Sequence, residues 1–361
     1  MPCVARAPDQ TIGPGHARVR WHTRTMCMEL GIYSFGDLVA DPNTGKKPTS
    51  VERMRRLMDM ARLADDAGLD VIGIGEHHGL DFVNSATATL ISGLAAATKR
   101  IRFTSASTLL STADPVRTFQ EFSMADLVSG GRVEIIFGRG AFNDNFPLFG
   151  FDMKDYDALF AEKLQLFELL NANERVTWSG KFRAPLQVAE IAPRPHQPKL
   201  PVSIGALSQG SVGRAAKLGY PLVIPVLGGS MEGYAKIAAY YRAVWAQSGR
   251  RQEDAKIALF SHFHVTETAR ETEHDFYRYY SAYMRRMFRG PIPAATYAHM
   301  LSPRGTFVGG SVQQVVDKIS MLKEATGAYR YVGQIDVGAP RFETIAKGIE
   351  LMASKVADQL R

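Results

Sequence analysis

Four glycines punctuate this chain. Gly68, Gly130, Gly219 and Gly327 each stand where a helix-like stretch meets a β-rich run, at residues 70–75, 132–136, 220–224 and 329–332. In the first such stretch, residues 50–67 place Met54, Leu57, Met58, Ala61 and Ala64 on one helical face. A helix that stops in the left-handed conformation needs a residue without Cβ at that point. The recurring order of helix, glycine and strand is βα alternation, which calls for helices packed on a mainly parallel sheet.

Eight strand candidates begin near Leu30, Asp70, Ile101, Arg132, Pro201, Pro221, Ile257 and Tyr331, and helical stretches follow each near Val51, Ala86, Val116, Asp155, Ser211, Glu232, Arg270 and Phe342. Eight such units closing on themselves make an α/β fold of the (β/α)8, or TIM-barrel, type. A doubly wound open sheet would carry a Gly-x-Gly-x-x-Gly turn after the first strand, where this chain has Gly36-Asp37-Leu38-Val39. A barrel needs about 250 residues, so the remaining length of this 361-residue chain belongs to an arm and to insertions. Residues 173–200 read as a hairpin followed by a Pro-rich approach to the fifth strand. Residues 276–311 are rich in Tyr, Met and Phe, and 312–325 read as an additional helix before the eighth strand. The expected organisation is a loose extension over residues 1–27 and one barrel domain over 28–361, with Met28 offering a second start.

Composition closes several other routes. The net charge is +7, and four arginines of the arm stand against the single Asp9, so the body is close to balance. No basic run alternates with aromatics, which argues against a nucleic-acid partner. No stretch of about 18 apolar residues is present to span a membrane. The two cysteines, Cys3 and Cys27, lie in the arm, so the body has neither a disulfide framework nor a cysteine-based zinc site. The arm lacks the apolar region of a secretory signal, and a cytoplasmic protein is expected.

Reactive side chains of a barrel belong at the C-terminal ends of its strands. The second strand exits through Gly75-Glu76-His77-His78-Gly79, which concentrates three ionisable groups; histidine can exchange a proton near neutral pH and glutamate can orient it. Adjacent residues of an extended chain face opposite sides, so His77 and His78 should not both meet one ligand. A metal site would need three or four converging donors. His262 and His264, which share a face of the seventh strand, are the best support for that reading. The third strand ends in the small residues Thr104, Ser105, Ala106, Ser107 and Thr108, which either allow a flat ring to approach the backbone or are simply a β-prone segment with little bulk. Asp114-Pro115 reads as a helix cap. Arg139 between Gly138 and Gly140 can reach a phosphate or carboxylate. Ser208, Gln209, Gly210 and Ser211 open a helix with hydroxyls and free N–H groups, either an anion site or ordinary serine capping.

From Glu29 to the C-terminus these motifs resemble the bacterial-luciferase-like flavin-dependent monooxygenases. The likeness rests on Ala-Gly-Leu-Asp-Val-Ile-Gly-Ile-Gly-Glu-His-His from Ala67, Ser-Thr-Ala-Asp-Pro-Val-Arg from Ser111, and Gly-Arg-Val-Glu-Ile-Ile-Phe-Gly-Arg-Gly from Gly131. Phe-Gly-Phe-Asp-Met from Phe149 and Ser208-x-x-Ser211 ahead of Ala-Ala-x-x-Gly complete it. The resemblance implies a TIM barrel and makes His77 the active-site histidine, with Glu76 and His78 in support. It sets Ala106 and Ser107 under the flavin ring, at a non-prolyl cis peptide bond. Arg139, Ser208 and Ser211 then take the phosphate, with Gln209 and Gly210 in the same loop. Leu207 departs from the pattern, which has glutamate there.

The implied reaction uses reduced FMN as cosubstrate and O2 to oxygenate a small organic substrate. A separate flavin reductase is implied because no nicotinamide fingerprint is present, and a homodimer is expected from the family. A deazaflavin-dependent oxidoreductase and a non-catalytic flavin-binding protein are the alternatives, and retention of Glu-His-His favours FMN. The segment around Tyr277, Tyr280, Tyr283, Met284 and Met287 either covers the site against water or packs on the barrel.

Overall fold

The computed structural model describes residues 28–138, 140 and 145–361. The extension 1–27 lies outside them. Within them, eight strands run parallel and close on themselves: β1 Glu29–Ser34, β2 Val71–Ile74, β3 Arg102–Ser105, β4 Val133–Gly138, β5 Val202–Gly205, β6 Leu222–Val226, β7 Ile257–Thr266 and β8 Arg330–Gln334. Closure is made by β8 pairing with both β7 and β1, with Tyr331 opposite Leu259 on one side and Leu30 on the other. Each strand begins within one residue of the position expected from sequence.

The helices end as the glycine pattern demands. Gly68, Gly130, Gly219 and Gly327 are all left-handed C-caps, with φ between 60° and 82°. Asp114 caps the helix Pro115–Ser129 by accepting from Arg117 N at 3.0 Å. The helix Ser50–Ala67 starts in a capping box of Thr49 and Glu52. Such caps contribute about 1 kcal/mol each. Between barrel and helices lies the main apolar core, with Leu30, Ile32, Ile72, Phe103, Phe137, Ile224 and Leu259 among its fully buried members.

The barrel interior is stratified. At its N-terminal end Arg330 forms a bidentate pair with Glu134 (2.7 and 3.0 Å) and donates to Glu29 at 2.7 Å, while Arg102 bridges the same two carboxylates at 2.6 and 3.0 Å. The guanidinium of Arg330 beside Glu134 holds that buried carboxyl below its usual range against desolvation. Above this plug sit Tyr33, Val71, Ile136, Val223, Ala258, Phe260 and Val332, a second apolar cluster on the barrel axis. The reactive end is thereby left at the C-terminal mouth.

Three departures interrupt the regular pattern. Residues Arg175–Trp178 and Leu186–Glu190 form the expected antiparallel hairpin. Strand β7 is ten residues long, and its outer half pairs with an unexpected strand, Val308–Ser311. Between them the chain leaves through the helices Tyr277–Phe288 and Ala294–Leu301, and the helix Val312–Thr326 then returns it to the barrel.

Candidate active site

The chain after β2 turns back on itself through Asn84, which is buried and donates from Nδ2 to Gly75 O (2.5 Å) and Thr87 Oγ1 (3.1 Å). His77 N in turn donates to Asn84 O at 3.0 Å, so the Glu76–His78 segment is pinned at both ends. Sequence reasoning missed Asn84; its place just before a helix hides it as an ordinary cap.

The three ionisable residues of this exit do not form one constellation. His78 Nε2 lies 3.0 Å from Glu76 Oε1, Leu109 N donates to Glu76 Oε2 at 3.3 Å, and the His78 ring stands edge-on to Phe149 at 4.8 Å. His77 turns to the other side, between Phe35 (4.8 Å) and Phe82 (4.2 Å). The alternation of an extended chain thus separates the two histidines and sets Glu76 against His78.

Beside this exit lies the end of β3. Ala106 N donates to Ile74 O at 2.8 Å, which seats residues 106–107 against β2. The Ala106–Ser107 peptide bond is cis, at the place where the resemblance puts such a bond. Glycine at the neighbouring positions permits close packing: a Cβ at Gly75 would collide with the Phe35 ring, and one at Gly138 would collide with Ser107 Oγ. Thr108 Oγ1 is buried without a hydrogen-bond partner, although its strand segment Thr108–Leu109 pairs with Phe137 and Gly138.

Farther round the mouth, Ser208 caps the helix Gln209–Leu218. Its Oγ lies 2.8 Å from Ser211 Oγ and accepts from Ser211 N at 3.4 Å. Gln209 and Gly210 are the first two residues of that helix. Leu207 is half exposed and lines, with Gln209, Val212, Lys236, Ile237 and Tyr240, a surface pocket of about 240 Å³. Arg139 lies outside the described residues.

On the opposite rim, His262 Nδ1 is 2.8 Å from Tyr280 OH and its ring stands edge-on to Tyr283 at 5.4 Å. His264 stacks on Phe276 at 3.7 Å. Burial lowers their pKa values to about 4 and about 3, so both are neutral at physiological pH. The shared face expected of these two histidines is used for packing, and among the described residues no three His, Cys, Asp or Glu side chains converge to hold a metal ion. Tyr283 meets Gln334 at the end of β8, at 3.1 Å from Nε2. The segment expected either to cover the site or to pack on the barrel therefore sits directly over the mouth. No helix among the described residues is long and apolar enough to cross a membrane.

Comparison with known proteins agrees with this fold. The flavin-dependent trigonelline monooxygenase, oxygenase component, of Acinetobacter baylyi is 24% identical over 353 residues, covering 91% of this chain and 94% of that protein. A monooxygenase from Streptomyces bottropensis superposes with a TM-score of 0.79 at 22% identity, over 90% of this chain and 98% of that one. The oxygenating constituent of 3,6-diketocamphane monooxygenase from Pseudomonas putida, solved in complex with FMN, gives 0.76 at 18% identity, over 93% and 99%. The family model described as luciferase-like monooxygenase matches residues 28–329. With that match spanning the barrel from β1 to the residue before β8, the chain belongs to the luciferase-like monooxygenase family.

Proposed function

We propose that this chain is the oxygenase of a two-component system that takes reduced FMN from a separate reductase and oxygenates a small organic substrate in the cytoplasm. The observation that carries this reading is the hydrogen bonding of the end of β2 to the segment after β3, through Ala106 N to Ile74 O and Leu109 N to Glu76 Oε2, which sets the Glu76-His77-His78 exit beside the Ala106–Ser107 turn. The residues present fit a flat, phosphorylated ring system. Bare backbone at Gly75 and Gly138 lets the Phe35 ring and Ser107 close tightly on the turn, and the hydroxyls of Ser208 and Ser211 stand 2.8 Å apart at a helix N-terminus, where an anion is favoured. When bound, reduced FMN supplies the electrons that activate O2 for insertion of one oxygen atom.

In this reading Ala106 and Ser107 support the ring. Ser208, Gln209, Gly210, Ser211 and Arg139 hold the phosphate by charge-assisted hydrogen bonds at a helix N-terminus. His77 holds or moves a proton at its imidazole beside the ring. Glu76 fixes His78, and the pair shapes the far wall. The Phe35, Phe82, Tyr280 and Tyr283 rings exclude water from the mouth. The naming of the Acinetobacter relative as an oxygenase component supports a reductase partner. Met124, Leu127 and Val128, exposed on the helix Pro115–Ser129, offer an apolar face for a homodimer.

Anaerobic titration with photoreduced FMN, followed by stopped-flow mixing with O2, tests the proposal. Saturable binding and an oxygen-dependent absorbance change are expected. Absence of binding to flavin in either redox state would refute it.

A further inference from the structure

A polar cluster at the barrel mouth is left unused by this chemistry. Ser34, Asp37, Arg53 and Asp336 are all buried. Arg53 Nη2 contacts Asp336 Oδ2 and lies 3.9 Å from Asp37 Oδ1, and its Nε donates to Asp37 O at 2.9 Å. Ser34 Oγ donates to Asp336 Oδ2 at 2.6 Å. Both side-chain oxygens of Asp37, and Asp336 Oδ1, have no hydrogen-bond partner. One guanidinium therefore faces two carboxyl groups, and a second ionised carboxylate would be buried without its own cation, which costs several kcal/mol. Asp37 has the poorer contacts of the two. Burial, reinforced by Asp336 and opposed by Arg53, raises its pKa to about 7.

The helix Tyr277–Phe288 roofs this cluster. From it Arg278 and Tyr279 bond Asn43, in the same β1-to-helix loop as Asp37, and Tyr283 bonds Gln334 beside Asp336. Its buried residues Tyr280 and Met284 belong, with Phe276, Ile292, Tyr297, Phe307 and Val337, to a cluster separate from the main core. A segment packed on a satellite cluster can lift without unpacking the barrel. A π-helical turn at Glu271–Asp275 leads into it, and Arg289, at φ 53°, leads out.

We propose that Asp37 is a protonation latch: closing the helix Tyr277–Phe288 over the mouth places a proton on the Asp37 carboxyl, and loss of that proton loosens the helix. The groups facing the carboxyl are Arg53, Ser34 and Asp336 below and Tyr283 above, with Tyr33 facing Asp336; burial keeps both tyrosines protonated. With the helix lifted, Asp37 is hydrated and titrates in the ordinary carboxylate range, near 4. Between that range and about 7 the closed form holds the extra proton, so closure weakens as pH rises through this window and is constant above it. His262 and His264, which touch Tyr280 and Phe276, act with the opposite sign, because burial keeps them neutral while lifting lets them charge below their usual pKa. Comparing wild type with Asp37→Asn cancels their contribution.

The test is hydrogen exchange of residues 277–288 in the flavin-free full chain, followed by mass spectrometry from about pH 5 to 8. The ratio of wild-type to Asp37→Asn protection is expected to fall as pH rises, by up to about tenfold per pH unit, and then to level off. A ratio independent of pH overturns the latch. Asp336→Asn, which removes the surplus charge through the other partner, is expected to flatten the wild-type dependence equally; an unaltered dependence also overturns it. Should both variants fail to fold, the infrared C=O band of a buried carboxylic acid in wild type must disappear as pH rises through neutrality, and its absence below neutrality refutes the proposal. No flavin enters these measurements, so their outcome is separate from that of the proposed oxygenase.

Discussion

His78 is held 3.0 Å from Glu76 on one side of the β2 exit, while the adjacent His77 is clasped by Phe35 and Phe82 on the other. Neighbouring side chains of an extended backbone diverge, so a doublet of histidines meets two different surroundings. His78 is constrained by a carboxylate, whereas His77 stands between two aromatic rings.

His77→Ala is accordingly expected to lower turnover by about 10²-fold or more, the usual contribution of a positioned acid–base group, while the FMN dissociation constant changes only a few-fold. His78→Ala is expected to cost less, about tenfold, through loss of its bond to Glu76. Steady-state oxygenation with a supplied reductase, alongside flavin fluorescence quenching, separates the two effects. A His77→Ala enzyme that loses affinity and turnover in parallel would contradict the assignment.

Ser208→Ala combined with Ser211→Ala should weaken binding of FMN and leave riboflavin almost unaffected, because the proposed contact of the hydroxyls with the cofactor is to its phosphate. The ratio of the two dissociation constants is the readout. Loss of the Ser208 cap will also lower stability by about 1 kcal/mol. Arg139→Ala is expected to shift the same ratio in the same direction.

Replacing Arg330 with methionine leaves Glu134 and Glu29 in the barrel floor with Arg102 as their remaining partner. Breaking a buried pair in this way costs about 3–5 kcal/mol. Urea denaturation should show the loss, whereas turnover per folded molecule should hold, since the floor lies at the opposite end from the mouth. A large fall in turnover of the folded fraction would mean that the floor shapes the site.

His262 and His264 are buried neutral. The unfolded chain takes up protons on them below about 6.5, but the folded chain does not until about 4 or 3, so their contribution to stability is complete above 6.5 and falls as pH drops toward 4. Denaturation midpoints in that window should decline less steeply in a His262→Gln, His264→Gln double variant than in wild type. Parallel slopes would show that the two rings are solvated in the folded protein.

Much of the architecture was legible in the chain. The eight strand starts and the four glycine caps follow from local rules, because a helix ends where its backbone turns left-handed and a strand begins where β-branched residues cluster. The hairpin at 175–190 and the helix Val312–Thr326 were visible on the same grounds. The pairing of Val308–Ser311 with the far half of β7 was not, since two glycines in four residues give no β signal and the pairing joins segments about forty residues apart.

The site divides along the same line. Glu76, His77 and His78 at a strand exit, small residues after β3, and serines opening a helix are all local patterns, and the amino-acid order determined them along with the barrel itself. Only the tertiary structure decided that His262 is spent on Tyr280, that Asn84 pins the β2 exit, and that Asp37 and Asp336 share the single guanidinium of Arg53. Those partners lie from 9 to 283 positions apart, and their meeting depends on how the chain folds back. Burial and unpaired charge are properties of the closed barrel and its roof, and no stretch of sequence carries them alone.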